Sequence, residues 1–342
     1  MAVQPQEKNR YHSLDLLRLL AALAVVFYHY SVFIDVDTGR ALFGFFDLGY
    51  LGVNFFFMLS GFVIMASAQG RGAFAFLVAR GQRLYPAFIA CLGLTLLAIG
   101  WSSGQVLPMQ QILANATLLN DYIKIPNVDG VYWTLQAEIK FYACVFLLSL
   151  MRVLPLWRYW LTLWCGAAVL HYFIRQPFFM GWFINPEYSF YFIGGVAAYL
   201  LSMQPRHLLL HAIFVVSMIF SAINAGHQIH DFLPHPSAQA AWFAQGIVII
   251  FYAFFYFLAK GYFNLKNVPW WWVYLGAMSY PLYLLHNRAG KSMIDYFSLS
   301  YDMNLVLVSV IVALLIVSLL VHLLIETPVN HIFKFINKSI RK

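Results

Sequence analysis

The chain has 342 residues, of which 62% are hydrophobic, 18% aromatic and only 10% charged, and its mean hydropathy is +0.72. That composition excludes a soluble globular domain and a disordered chain, and it matches a polytopic membrane protein. The formal net charge of +8 reads as basic loops facing anionic lipid, because no Lys/Arg run interleaved with aromatics points to nucleic acid. Cys91, Cys144 and Cys165 lie in apolar stretches without CxxC spacing and read as small buried hydrophobes, not a disulfide framework.

About 20 apolar residues cross a roughly 30 Å hydrocarbon layer. On that scale the chain divides into ten predicted spans: 14–34, 48–68, 86–101, 131–151, 156–174, 182–202, 208–225, 239–259, 270–289 and 303–325. The expected fold is an all-α polytopic membrane protein, a single domain over 1–342 with about ten transmembrane helices and no soluble domain. Nothing has the alternating pattern of an outer-membrane barrel. An even number of spans puts both termini on one side. With the N-terminus in the cytoplasm, Arg40, Lys124, Arg175, Arg288 and Lys291 are the 5 outer cations and Lys140 lies inside a span, leaving 15 of the 21 Lys and Arg on the cytoplasmic side. That asymmetry sets the orientation. The first span is expected to be retained, since it contains Arg18 and His29 and runs into Asp35 and Asp37 without a cleavage site.

The first span reads "RLLAALAVVFYH" over residues 18–29. Eleven helical steps leave Arg18 and His29 about 20° apart in azimuth and about 16 Å apart along one face. Asp15 lies on the same stripe, which turns two isolated polar residues into a seam. Arg18 alone reads equally well as a cation snorkelling to headgroups, and His29 alone as a packed histidine. Together they point to function, because intramembrane ionisable residues are costly and histidine suits proton transfer near neutral pH.

Further along, "GVNFFFMLSGFVI" (52–64) interrupts an apolar span with Gly52, Asn54, Ser60 and Gly61, spacing suited to close helix approach. "RGQRLYP" (80–86) puts Arg80 and Arg83 on one helical face at the cytoplasmic border and is expected to end at Pro86. The pair reads as a membrane anchor or as an anion site, since arginine forks match phosphate oxygens. "WTLQAEIKFY" (133–142) aligns Thr134, Glu138 and Tyr142 four apart, and an intramembrane carboxylate favours a polar interior site. "SYPLYLLHNR" (279–288) aligns Ser279, Tyr283 and His286, with a kink expected near Pro281 and His286 expected to be solvated at the outer end. His322 and Glu326 read as a local pair.

Weaker patterns are set aside. "GWSSG" (100–104) lacks the strand-turn-helix setting of a nucleophile elbow. The stretch "HQIHDFLPH", with His227, His230, Asp231 and His235, reads as a solvated outer loop and not a zinc site, so no metal is expected. No phosphate loop or dinucleotide fingerprint occurs.

The ordered set "SLDLLRLLAALAVVFYH", "GVNFFFMLSGFVI", "RGQRLYP", "WTLQAEIKFY" and "SYPLYLLH" resembles the acyltransferase-3 family of integral membrane acyltransferases across nearly the whole chain. The resemblance implies a ten-helix bundle in the bacterial cytoplasmic (inner) membrane. It would move an acyl group, usually acetyl, from cytosolic acyl-CoA to a hydroxyl of a glycan or lipid-linked saccharide, with acetyl-CoA as co-substrate and no bound cofactor. The family's basic residue, ten residues, then histidine pattern falls on Arg18 and His29, its R-x-x-R on Arg80 and Arg83, and its glutamate after W-T-L on Glu138. Asn54 departs from the acidic residue or proline of many members, so no charged role carries over to it.

On this reading Arg18, Arg80 and Arg83 hold the phosphate-rich head of acyl-CoA. His29 acts through Nε2 or Nδ1 as general base, with Glu138 or Asp15 orienting the ring, or it carries the acyl group transiently. Asn54, Ser60, Tyr142 and His286 support the site. The same buried polar residues also suit a proton-coupled transporter of an anionic solute, although no inverted repeat is visible.

Overall fold

The computed structural model describes residues 12–33, 47–174, 185–233, 236–263, 265 and 268–340. Among the described residues there are helices and turns and no strand. The helices are α1 (His12–Phe33), α2 (Leu51–Ala68), α3 (Ala73–Ser103), α4 (Met109–Ala116), α5 (Tyr132–Leu150), α6 (Trp157–Ile174), α7 (Ser189–Met203), α8 (Leu208–Phe232), α9 (Ala238–Ala259), α10 (Trp272–Leu285), α11 (Arg288–Phe297), α12 (Met303–Val321) and α13 (Thr327–Ile340). Six of them, α1, α2, α3, α8, α9 and the run from α12 into α13, are long and apolar enough to cross a membrane. Because a helix pairs its backbone amides internally except in its end turns, this is the architecture a bilayer requires. Helices α5, α6, α7 and α10 occupy the other four predicted spans at 19, 18, 15 and 14 residues.

Helix α2 packs along α7, α1 along α10, and α8 between α7 and α9. Small residues permit these approaches. A Cβ at Gly195 of α7 would overlap the Met58 carbonyl of α2, and one at Gly276 of α10 would lie 2.6 Å from Asp15 Oδ1. Close packing of this kind replaces the hydrophobic drive that lipid cannot supply between helices. At one end Trp272 Nε1 donates to the His12 carbonyl at 2.9 Å, and at the other Tyr30 Oη donates to the His286 carbonyl at 2.9 Å. Helices α1 and α10 therefore run parallel.

Four predicted boundaries move. The third helix starts at Ala73 and continues through Pro86 to Ser103, so "RGQRLYP" is helical throughout. Proline removes one amide donor, and neighbouring helices can satisfy groups near such a site; here Tyr280 of α10 donates to the Leu84 carbonyl at 3.2 Å. The predicted loop after residue 225 is helical to Phe232, placing His227, His230 and Asp231 on α8, while His235 lies outside the described residues. The ninth span stops at Leu285, and α11 follows as a separate helix. The tenth passes through a π-helical turn, His322–Glu326, before α13, an irregularity often found at functional sites.

Candidate functional site

A cavity of 630 Å³ opens among α1, α2, α3, α5 and α10. Its charged lining is four arginines, Arg18, Arg71, Arg80 and Arg83, against two carboxylates, Asp15 and Glu138. Helix α1 contributes Asp15 and Arg18 three residues apart, so Arg18 Nη1 donates to Asp15 Oδ1 at 3.3 Å. Arg83 reaches Glu326 Oε1 at 3.5 Å, and Glu326 Oε2 meets His322 Nδ1 at 2.6 Å. The local His322–Glu326 pair expected from its spacing thus forms, and it also holds an arginine. Arg80 Nε is buried and has no hydrogen-bond partner among the described residues, which makes it the least committed donor in the cluster.

Deeper in the cavity, Glu138 Oε1 accepts from Ser60 Oγ at 2.9 Å and from Tyr142 Oη at 2.7 Å. Thr134, Glu138 and Tyr142 all line the cavity, as their four-residue spacing on α5 requires. Thr134 Oγ1 and Tyr283 Oη are hydrogen-bonded at 3.0 Å, and the Phe56 and Tyr283 rings lie 6.0 Å apart. These three residues line the same cavity.

Beyond Tyr283 are two histidines. Its ring centroid is 5.4 Å from that of His286, and its carbonyl accepts from His286 Nδ1 at 2.7 Å. That carbonyl belongs to the last turn of α10, whose acceptors lack intrahelical partners. His286 Nε2 lies 3.2 Å from His29 Nδ1, which is also 3.0 Å from the Val25 carbonyl. His286 is fully buried and His29 half-buried. The expectation of a solvated His286 is therefore corrected: α11 and Tyr30 close over the end of α10 and shield it.

The group that meets His29 is His286, where Glu138 or Asp15 was expected. Asp15 lies fourteen residues before His29, about 21 Å down α1, and Glu138 is held by Ser60 and Tyr142. Asn54 is not among the residues lining this cavity. Its Nδ2 donates to Tyr191 Oη at 2.9 Å, and Tyr191 donates to the Ser221 carbonyl, so Asn54 joins α2, α7 and α8. Arg71, counted in the sequence only as a cytoplasmic cation, faces the cavity.

A second, polar cavity of 450 Å³ lies at the histidine end, lined by Gln105, Gln111, Asn127, Asn287, Arg288 and Lys291 among others. Asp129 braces it, accepting from Asn287 Nδ2 at 2.6 Å and from the Arg288 amide at 2.7 Å. Burial pushes the Asp129 carboxyl above the ordinary carboxylate range, and these hydrogen bonds with that from the Val131 amide oppose the shift.

The acyltransferase-3 family model, an acyltransferase domain, matches residues 11–325. Acyltransferase MdmB of Streptomyces mycarofaciens is 29% identical over 187 residues, 51% of this chain and 48% of its own. Nodulation protein 10 of Rhizobium leguminosarum bv. viciae is 31% identical over 182 residues, 46% of this chain and 48% of its own. An O-acetyl transferase of Shigella phage Sf6 is 37% identical over 89 residues, 25% of this chain and 26% of its own. The chain thus spans about half the length, or less, of the curated relatives it matches. No solved structure matches.

Proposed function

Because the chain belongs to the acyltransferase-3 family, we propose that it is a multi-pass O-acyltransferase of about ten crossings, with both termini cytoplasmic, in a bacterial cytoplasmic membrane. It transfers an acyl group, acetyl by preference, from cytosolic acyl-CoA to a hydroxyl of a glycan or lipid-linked saccharide. The observation that carries the reading is the arginine-rich cavity, which extends from a cluster of cations to Tyr283, with the histidine pair on the far side of that residue. Cations suit the phosphates of the donor, Arg80 foremost, because its buried Nε lacks a partner. Glu138 Oε1 already accepts twice, so Oε2 is the oxygen left to take an amide N–H of the pantetheine arm.

At the far end His29 takes the proton of the acceptor hydroxyl. The oxygen attacks the thioester carbonyl, the C–O bond forms, the C–S bond breaks, and the proton passes to the departing thiolate or to water. The second cavity, rich in amides and bearing two cations, suits the hydroxyl and anionic groups of a saccharide. The names of two relatives, an acyltransferase and an O-acetyl transferase, agree with the reaction class.

The test is incubation of the full-length protein in lipid nanodiscs with radiolabelled acetyl-CoA and a panel of glycans and lipid-linked saccharides. Label appearing in a saccharide with release of CoA is expected. The same chain reconstituted in vesicles, moving an anionic solute with a proton and consuming no CoA, would overturn the reading in favour of a transporter.

A further inference from the structure

We infer that His286 is a positioning residue that fixes the tautomer of His29 and leaves His29 Nε2 as the reacting nitrogen. The chemical role rests on the acyltransferase reading above, whereas the proton assignment rests on geometry alone. A carbonyl oxygen can only accept, so His286 Nδ1, 2.7 Å from the Tyr283 carbonyl, carries a hydrogen. By the same argument His29 Nδ1, 3.0 Å from the Val25 carbonyl, carries one too. The remaining contact, His286 Nε2 to His29 Nδ1 at 3.2 Å, then needs an acceptor on the His286 side, and a neutral ring protonated on Nδ1 supplies it.

The alternatives fail on the same distances. A hydrogen on His286 Nε2 would point at the hydrogen on His29 Nδ1, two donors facing each other. Moving the His29 proton to Nε2 would set a bare Nδ1 against the Val25 carbonyl oxygen and the lone pair of His286. One pattern satisfies all three contacts, and in it His29 Nε2 is bare. When Nε2 takes a proton none of these hydrogen bonds has to change, because the lone pair of His286 already faces Nδ1–H and stabilises the new charge. A neutral imidazole thus occupies the place that a carboxylate takes in a Ser-His-Asp triad. Nε2 is the reacting atom whether His29 moves a proton or carries the acyl group.

Among the described residues, the titratable groups around the pair are tyrosines, with the Asp47 and Asp231 carboxylates acting on Tyr28 and Tyr50. Tyr28 and Tyr30 belong to α1, Tyr50 meets Tyr28 edge to face at 5.5 Å between ring centroids, and Tyr283 belongs to α10. The Asp129 carboxylate is taken up by Asn287 and the Arg288 amide. Among the described residues, His286 is the titratable side chain hydrogen-bonded to His29.

Two measurements test this on the full-length protein in nanodiscs. The first is ¹⁵N NMR of histidine-labelled protein at a pH where the pair is neutral, assigned by difference against His29→Ala and His286→Ala. Pyrrole-type Nδ1 and pyridine-type Nε2 are expected for both rings, and this readout does not need turnover. The second is the pH–rate profile of His286→Phe and His286→Gln. The phenylalanine variant is expected to lose roughly 10²-fold in kcat with an unchanged KM for acetyl-CoA, and the acid limb of its profile should move to lower pH, since the imidazolium loses its acceptor. Glutamine, whose amide oxygen can accept from Nδ1–H, is expected to restore part of both. A pyridine-type Nδ1 on His29 overturns the assignment, and so does wild-type kcat with an unshifted profile in His286→Phe.

Discussion

The arginine end and the histidine end of the polar path solve one problem by opposite means. At the arginine end, charges face one another loosely around open space: Arg18 meets Asp15 at 3.3 Å, Arg83 meets Glu326 at 3.5 Å, and the Arg83 side chain is 42% exposed. At the histidine end the contacts run from 2.7 to 3.2 Å and link two imidazole rings to backbone carbonyls and to each other. Each ion pair at the arginine end sets a partly exposed arginine against a carboxylate that is only 3% exposed, so the guanidinium can turn toward the phosphates of the proposed donor while the carboxylate stays in place. A deep site cannot leave a charge or a donor unmatched, so it holds its groups in one complete hydrogen-bond pattern. Binding tolerates slack, and proton transfer does not.

The largest effect should come from the histidine end. His29→Ala is expected to lower kcat about 10³-fold with the protein level in membranes unchanged; near-normal transfer by this variant would remove His29 from the reaction. Next, Arg80→Ala should raise the KM for acetyl-CoA about tenfold to a hundredfold and spare kcat, the range of one lost hydrogen bond to a charged group. A fall in kcat alone would erase the division between the two ends. Arg83→Ala should act in the same sense but only a few-fold, since this arginine is more exposed and already shared with Glu326; initial rates over a range of acetyl-CoA concentrations separate the two. Smallest is salt: raising ionic strength from 0.05 to 0.5 M, conditions chosen to shorten the screening length from roughly 14 Å to about 4 Å, should raise KM about twofold and leave kcat unaltered. Salt-sensitive kcat would mean that charge also governs the histidine end.

What the sequence made legible follows from helix periodicity. The stripe of Asp15, Arg18 and His29, the Arg80–Arg83 pair and the Thr134–Glu138–Tyr142 face are intrahelical relations, and spacing alone reports them. The contacts that define the site join distant helices: His29 to His286 across 257 positions, Ser60 to Glu138 across 78, and Arg83 to Glu326. Nothing in one sequence ranks these above other pairings of polar residues. His286 was misread because it sits at a helix end, where solvent is the ordinary neighbour, and the short helix α11 that buries it has too few apolar residues to announce itself as part of the bundle. Pro86 was misread for a related reason: a proline ends a helix in water more often than in a packed bundle, where Tyr280 supplies a donor nearby.

Tyr283 belongs to both regions, with its phenol at the first cavity and its carbonyl on His286. An uninterrupted wet channel through a bilayer would conduct protons and drain the gradient the cell lives on. With the Phe56 ring 6.0 Å away, Tyr283 sets aromatic surface between the first cavity and the histidine pair, and a dry plug of this kind would interrupt such a channel.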